Sequence, residues 1–220
     1  HQLTARTCPW EVSKLPDSPV RHRVVIVGAG FAGYNAAREL SKLAGTSIEI
    51  TVINSTDYFL YLPLLPQVAA GLVEPRHICV SLLRRLPKVR FVLGTVTYID
   101  VRQKVVTWSS PEGGSGQAGY DRLILTAGSV NKLLPIPGVA DYAHGFRSVA
   151  EAIYLRDHII RQLELAAGAA DEAEREARCT FVVVGAGYTG TEVAAQGQLF
   201  TARLAKQMPG LAGGQIRWML

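Results

Sequence analysis

Val24-Val25-Ile26-Val27-Gly28-Ala29-Gly30-Phe31-Ala32-Gly33 decides how this chain is read. Four consecutive apolar residues suit a parallel strand covered on both faces, and a G-x-G-x-x-G turn follows at once. Ala32, Ala36, Ala37, Leu40 and Leu43 then recur at helical spacing, with Arg38, Glu39 and Lys42 opposite, as far as a stop at Gly45. Ile48, Ile50 and Val52 alternate as the next strand. Strand, glycine turn, helix and strand make one βαβ unit. The theme returns at Phe181-Val182-Val183-Val184-Gly185-Ala186-Gly187-Tyr188-Thr189-Gly190. A helix-prone stretch runs on to about Met208, a loop covers Pro209 to Gly214, and Ile216 to Leu220 opens another strand. Two related nucleotide folds are expected, the second cut short inside that last apolar run, so the chain reads as a piece of something longer.

The glycines have separate physical tasks. The first takes a backbone conformation that a side chain disfavours; the second lets the main chain approach a pyrophosphate; the third lets helix and strand pack closely. The helix start that results offers unpaired N–H groups and partial positive charge to phosphates. Gly28, Gly30, Phe31, Ala32 and Gly33, and again Gly185, Gly187, Tyr188, Thr189 and Gly190, are therefore candidate cofactor-binding residues. A glycine turn kept only for packing is the competing reading. An apolar strand before each turn and an alanine-rich helix after it favour phosphate binding. About 20 residues beyond the first turn such a fold places an acid that holds a ribose hydroxyl. Here Asn54 stands there, after Thr51-Val52-Ile53, an amide that can accept without a carboxylate's charge. Asp57 lies nearby as a substitute, and the second fold's counterpart falls at or just past Leu220.

Between the turns, residues 57–75 are rich in aromatics and proline with little periodicity. Ile78 to Leu86 suits a short amphipathic helix ended by Pro87. Val89 to Val92, Val96 to Val101 and Val105 to Trp108 read as strands, Ser109 to Gly119 as a hairpin loop, and Tyr120 to Ala127 as a strand ending at Gly128. From Val149 the pattern is helical, and Asp171 to Arg178 is a charged helix or connector. This gives an N-terminal tail over 1–20, with three prolines between Thr7 and Pro19, a first domain over 21–148 and a second over 149–220.

The net charge of +5 is carried by scattered residues, with Arg84-Arg85 the only adjacent basic pair. No basic run is interleaved with aromatics, so no nucleic-acid partner is expected. Cys8, Cys79 and Cys179 are odd in number and far apart, which indicates neither a disulfide framework nor a metal site and fits a reducing compartment. No apolar stretch approaches the roughly 18 residues of a spanning helix, and residues 1–20 lack a signal-peptide core.

Four stretches together resemble type II NADH:quinone oxidoreductase, the single-subunit, non-proton-pumping flavoenzyme: Val24 to Gly33, Tyr58 to Gly71, Tyr120 to Gly138, and Phe181 to Glu192. The likeness spans about residues 22–220, roughly the first half of such an enzyme. It implies two Rossmann-like domains of the FAD/NAD-linked reductase type, the first for FAD and the second, truncated, for NAD(H). Tyr58-Phe59-Leu60-Tyr61-Leu62-Pro63-Leu64-Leu65-Pro66 resembles the family's aromatic-x-Pro-Leu-Leu segment beside the flavin, which implies contacts from Pro63 and Leu64. A hydrophobic plug under a loop is the plainer reading of that stretch. Ala127 and Gly128 resemble the small residues that end the strand returning to FAD. Glu192, two residues past Gly190 and placed in the first helical turn, matches a family glutamate near nicotinamide and flavin. An acid at a helix N-terminus is also favourable by about 0.3–1 kcal/mol without any function.

The activity implied is hydride transfer from NADH to bound FAD, with electrons then delivered to a quinone. Also implied are a peripheral place on the cytoplasmic face of a bacterial membrane, anchored by a C-terminal part beyond Leu220, and homodimeric pairing. Two other readings are open. A related flavin reductase such as sulfide:quinone oxidoreductase needs a reactive cysteine pair by the flavin; Cys79 and Cys179 are the candidates, but neither has the sequence neighbours of an activated thiolate. A non-catalytic nucleotide-binding subunit of a larger assembly draws some support from Asn54.

Overall fold

The structure, a computed structural model, describes residues 22–43, 47–130, 135–211 and 216–220. The Thr7–Pro19 arm, Cys8 and the helix stop at Gly45 lie outside the described residues. In chain order the elements are β1 (His22–Val27), α1 (Phe31–Leu43), β2 (Ile48–Asn54), β3 (Tyr58–Leu60), α2 (Leu65–Ala69), β4 (Cys79–Ser81), α3 (Leu82–Arg85), β5 (Arg90–Leu93), β6 (Thr95–Asp100), β7 (Val105–Ser109), β8 (Ser115–Gly119) and β9 (Arg122–Leu125). They continue as α4 (Val139–Tyr142), α5 (Val149–Gly168), α6 (Glu172–Arg178), β10 (Thr180–Val182), α7 (Tyr188–Ala205) and β11 (Arg217–Met219). Single 3₁₀ turns occupy Leu62–Leu64 and Pro75–His77.

Two compact units are formed. The first comprises the described residues up to Ser55 together with Leu86–Thr126. Its sheet runs β5-β2-β1-β9, all parallel, with Val27 level with Ile53 on one side and Leu125 on the other. Val24 to Val27 are buried without a break, and so are Ile50 to Ile53, Thr51 included. Continuous burial, rather than the alternation of Ile48, Ile50 and Val52, is what two covered faces produce. Helix α1 turns Gly33 and Ala37 inward. Strands β6, β7 and β8 form a separate antiparallel sheet, and Val106, Trp108 and Tyr120 share a core with Val25, Val27 and Ile53.

The second unit comprises Thr56–Arg85 and Ala127–Leu220. Helix α5 begins with a capping box: Ser148 Oγ accepts from Glu151 N–H, and the Glu151 carboxylate accepts from the Ser148 N–H at 2.7 Å and the Arg147 N–H at 2.8 Å. Ile159 and Leu163 of α5 share a core with Ala70, Phe181 and Phe200. Leu65, Val68 and Ala69 of α2 pack with Ile78 and Ala152. That packing is why residues 56–85 and 127–148 cluster with 149–220, and why this division does not follow the sequence boundary at 148/149.

Three local expectations are corrected. Ile78 to Leu86 is not one helix. Cys79–Ser81 pairs antiparallel with Tyr58–Leu60, and only Leu82–Arg85 is helical, because pairing Phe59 with Val80 builds a hairpin-like ladder with Phe59 buried. Ser109 to Gly119 is not all loop. Ser115–Gly119 pairs along β7, and Gly116 faces the Trp108 indole so closely that a Cβ there would overlap the ring. The glycine serves a cross-strand aromatic, and only residues 110–114 turn. The Phe181–Val184 run is not buried throughout: Val182 is 66% exposed and β10 ends there. Among the described residues β10 has one neighbouring strand, β11, so one of its edges carries no ladder.

Candidate functional site

Each glycine turn leaves the carboxyl end of a parallel strand and enters a helix. In the first, Gly28 has φ +91°, the region that disfavours side chains, and its N–H donates to Ile53 O at 2.8 Å. No atom lies within 4 Å of where a Gly30 Cβ would stand, so the second glycine faces open space. At Gly33 a Cβ would overlap Gly28 O and come within 2.6 Å of Thr126 Oγ1. The second turn repeats the pattern. Gly185 has φ +111°, Gly187 faces open space, and a Cβ on Gly190 would overlap Gly185 O. One bent glycine, one bare approach and one close packing contact, in that order and twice, is the arrangement a diphosphate cradle needs.

Both helix starts are electrostatically receptive. No acidic residue occupies the first turn of α1 or of α7, and the Gly187 N-cap has no side chain to take a helix N–H. Those N–H groups carry the positive end of the helix dipole. Phe31, Ala32, Tyr188 and Thr189 are all exposed at these starts, Tyr188 to 93%. Residues Gly28–Gly33 and Gly185–Gly190 thus fit the phosphates of a dinucleotide, each turn by itself.

The other candidates are placed less uniformly. Asn54 ends β2, and its Oδ1 accepts from the Ala29 N–H at 2.8 Å. It braces the glycine turn, a role the spacing alone does not suggest. Thr126, which sequence reasoning passed over, follows β9 at the same sheet end. Its N–H donates to Val27 O at 2.8 Å, and its hydroxyl proton lies between Val27 O at 2.8 Å and Gly28 O at 2.9 Å. Ala127 and Gly128 continue from it, both exposed, with Gly128 at φ +75°. Pro63, exposed, and Leu64, half-buried, lie in the second unit on the 3₁₀ turn before α2, where Leu64 packs on the Leu65–Val68 core. Glu192 is exposed on α7, but the helix begins at Tyr188, so it stands in the second turn and not the first. The expected dipole benefit therefore fades, since it is confined to the terminal turn. The register Val182↔Met219, carried forward, places the counterpart of Asn54 beyond Leu220.

The thiols are quiet. Burial pushes Cys79 above the ordinary thiol range, helped by the Asp57 charge. Cys179 is also raised, chiefly by burial and then by Glu172, with Arg175 opposing. Neither is activated as a thiolate, since burial raises both and outweighs Arg175 beside Cys179. Among the described residues no group of three or more His, Cys, Asp or Glu could hold a metal, and no helix is long and apolar enough to cross a membrane.

Fold and site together define a dinucleotide-binding protein of the α/β class. The sequence profile described as pyridine nucleotide-disulphide oxidoreductase matches residues 22–209, and the chain belongs to that family. Among similar proteins are two type II NADH:quinone oxidoreductases of Mycobacterium tuberculosis, NdhA, 42% identical over 80% of this chain, and Ndh, 39% identical over 81%. The chain spans 37% and 38% of their lengths. The similarity read from the four sequence stretches is thus matched at the level of aligned relatives. Among solved structures, NDH2 from Plasmodium falciparum superposes with a TM-score of 0.81 at 23% identity, over 90% of this chain and 41% of that one. A sulfide:quinone oxidoreductase from Aquifex aeolicus gives 0.56 at 20% identity, over 90% of this chain and 50% of that one. At such identities these two speak for the fold alone.

Proposed function

We propose that this chain is the N-terminal part of a type II NADH:quinone oxidoreductase, with FAD held at the first cradle and NADH received at the second. The observation that carries the reading is the repeated glycine geometry, a bent first, open second and packed third position at 28, 30 and 33 and again at 185, 187 and 190. Bound FAD would supply the redox chemistry, taking hydride from NADH and delivering two electrons to a quinone.

The chain's own work is binding and orientation. The backbone around Gly30, Phe31 and Ala32 would receive one diphosphate, and that around Gly187, Tyr188 and Thr189 the other. Asn54 and Thr126 hold the first turn rigidly. A pre-set cradle loses little on binding and favours a resident group. Ala127 and Gly128, without bulk, and Pro63 and Leu64 are proposed flavin neighbours. Glu192 is proposed to stand near the nicotinamide. No cysteine is given a role, in keeping with thiols raised by burial. Attachment to the cytoplasmic face of a bacterial membrane, where a lipid-soluble quinone is met, belongs to the same proposal, as does pairing of two copies.

Anaerobic mixing tests it. The purified yellow protein should bleach with NADH and recover its colour on adding a quinone. Bleaching by sulfide alone would transfer the assignment to a sulfide-oxidising relative, and a colourless protein would favour a non-catalytic binding module.

A further inference from the structure

The first glycine turn is held by more than its glycines. Strands β2 and β9 flank β1 on opposite sides, and each sends one polar side chain to the same peptide group. From β2, Asn54 Oδ1 accepts from the Ala29 N–H at 2.8 Å. From the end of β9, the Thr126 hydroxyl shares its one proton between Gly28 O at 2.9 Å and Val27 O at 2.8 Å. Gly28 C=O and Ala29 N–H are the two poles of one peptide plane, which is therefore gripped from both edges. Gly28 is the residue whose freedom would otherwise let that plane rotate. The Asn54 main chain is itself fixed, because its backbone carbonyl accepts from Gly94 N–H at 2.9 Å as β2 pairs with β5. Ala29 is 2% exposed, so its N–H has no water to fall back on.

We propose that Asn54 and Thr126 are positioning residues that lock the Gly28–Ala29 peptide so that the N–H groups beyond it face the diphosphate. Asn54 is then a brace of the cradle and not a ribose-hydroxyl ligand. An amide suits this task. It satisfies the buried donor without placing a carboxylate charge beside an anionic ligand. The proposal rests on the first cradle holding FAD.

The test uses apoprotein reconstituted with FAD and with an FAD analogue whose adenosine ribose lacks both hydroxyls, followed by flavin fluorescence. Asn54→Leu should weaken FAD and the analogue by the same factor, on the order of tenfold, as expected for orphaning one buried donor. Thr126→Val, which keeps the shape and removes the hydroxyl, should also weaken both ligands equally. The double variant should lose less than the product of the two, because both act on one peptide plane. Weakening of FAD with analogue binding unchanged in Asn54→Leu would make Asn54 a ribose ligand and overturn the proposal. So would unaltered affinity in both single variants. Should Asn54→Leu fail to fold, Thr126→Val alone decides between loss and no change. A wild-type apoprotein that binds neither ligand would instead overturn the FAD reading itself.

Discussion

Gly30→Ala separates binding from folding at the first cradle. Nothing lies within 4 Å of the added methyl, and Gly30 is not among the positive-φ glycines, so the folded chain accommodates it. Exchanging glycine for alanine at a compatible position restricts the unfolded chain and stabilises by about 0.4–1 kcal/mol. The same methyl fills the approach a diphosphate needs. Displacing one charge-assisted hydrogen bond costs about 1.5–3 kcal/mol, or roughly 10- to 150-fold in Kd. Gly33→Ala is the contrasting variant. Its Cβ would overlap Gly28 O and stand 2.6 Å from Thr126 Oγ1, so α1 must shift at a cost of about 1–3 kcal/mol, offset by up to about 1 kcal/mol of helix propensity. Thermal melts of apoprotein and FAD titrations give both quantities. Gly30→Ala should melt at or slightly above wild type and bind FAD at least tenfold more weakly. The reasoning is refuted if Gly30→Ala holds FAD within twofold of wild type, or if its apoprotein melts several degrees lower.

Gly187→Ala, also facing open space, should raise the Kd for NADH by about the same 10- to 150-fold while FAD content stays at the wild-type level, as read by equilibrium binding and flavin absorbance. Gly197→Ala should lower stability by about 1–3 kcal/mol despite better helix propensity, because the new Cβ would overlap the Trp218 indole, itself stacked on Phe181 at 4.8 Å; chemical denaturation checks it. Glu151 lies below the ordinary carboxylate range: burial opposes the shift, but the Arg147 N–H, the Ser148 hydroxyl and the Ser148 N–H together outweigh it. A depressed folded pKa gives stability present above the ordinary glutamate value of about 4.3 and lost as pH falls through the folded value. Urea melts of wild type against Glu151→Gln should therefore diverge above that pH and converge as the solution is acidified below it.

The two glycine turns were legible because their requirements are local: a positive φ, a bare approach and a close contact all fall within six residues. The strand over Ser115–Gly119 is hidden for the opposite reason, since the ring that demands Gly116 comes from Trp108 on the neighbouring strand. Cys79–Ser81 likewise became a strand through pairing with Tyr58–Leu60, which no periodicity within 78–86 announces. Val182 and Val184 have the composition of a doubly covered strand, but exposure is set by what packs on them and not by their own chemistry. Asn54 was singled out for its spacing while its partner was not, because Ala29 meets it only through the register of Val27 with Ile53. Thr126 is further still from its partners in sequence, and a threonine at a strand end carries no signal of its own. Glu192 was placed a turn too early because the helix starts at Tyr188, directly after the second glycine.

Counting nucleotides per chain tests the pair of cradles most directly. Denaturing the purified full-length protein should release one FAD per chain, and calorimetric titration of the intact holoprotein should find one further saturable site for the nicotinamide dinucleotide. Release of no flavin, or a holoprotein with no such second site, would contradict two diphosphate cradles working in one chain.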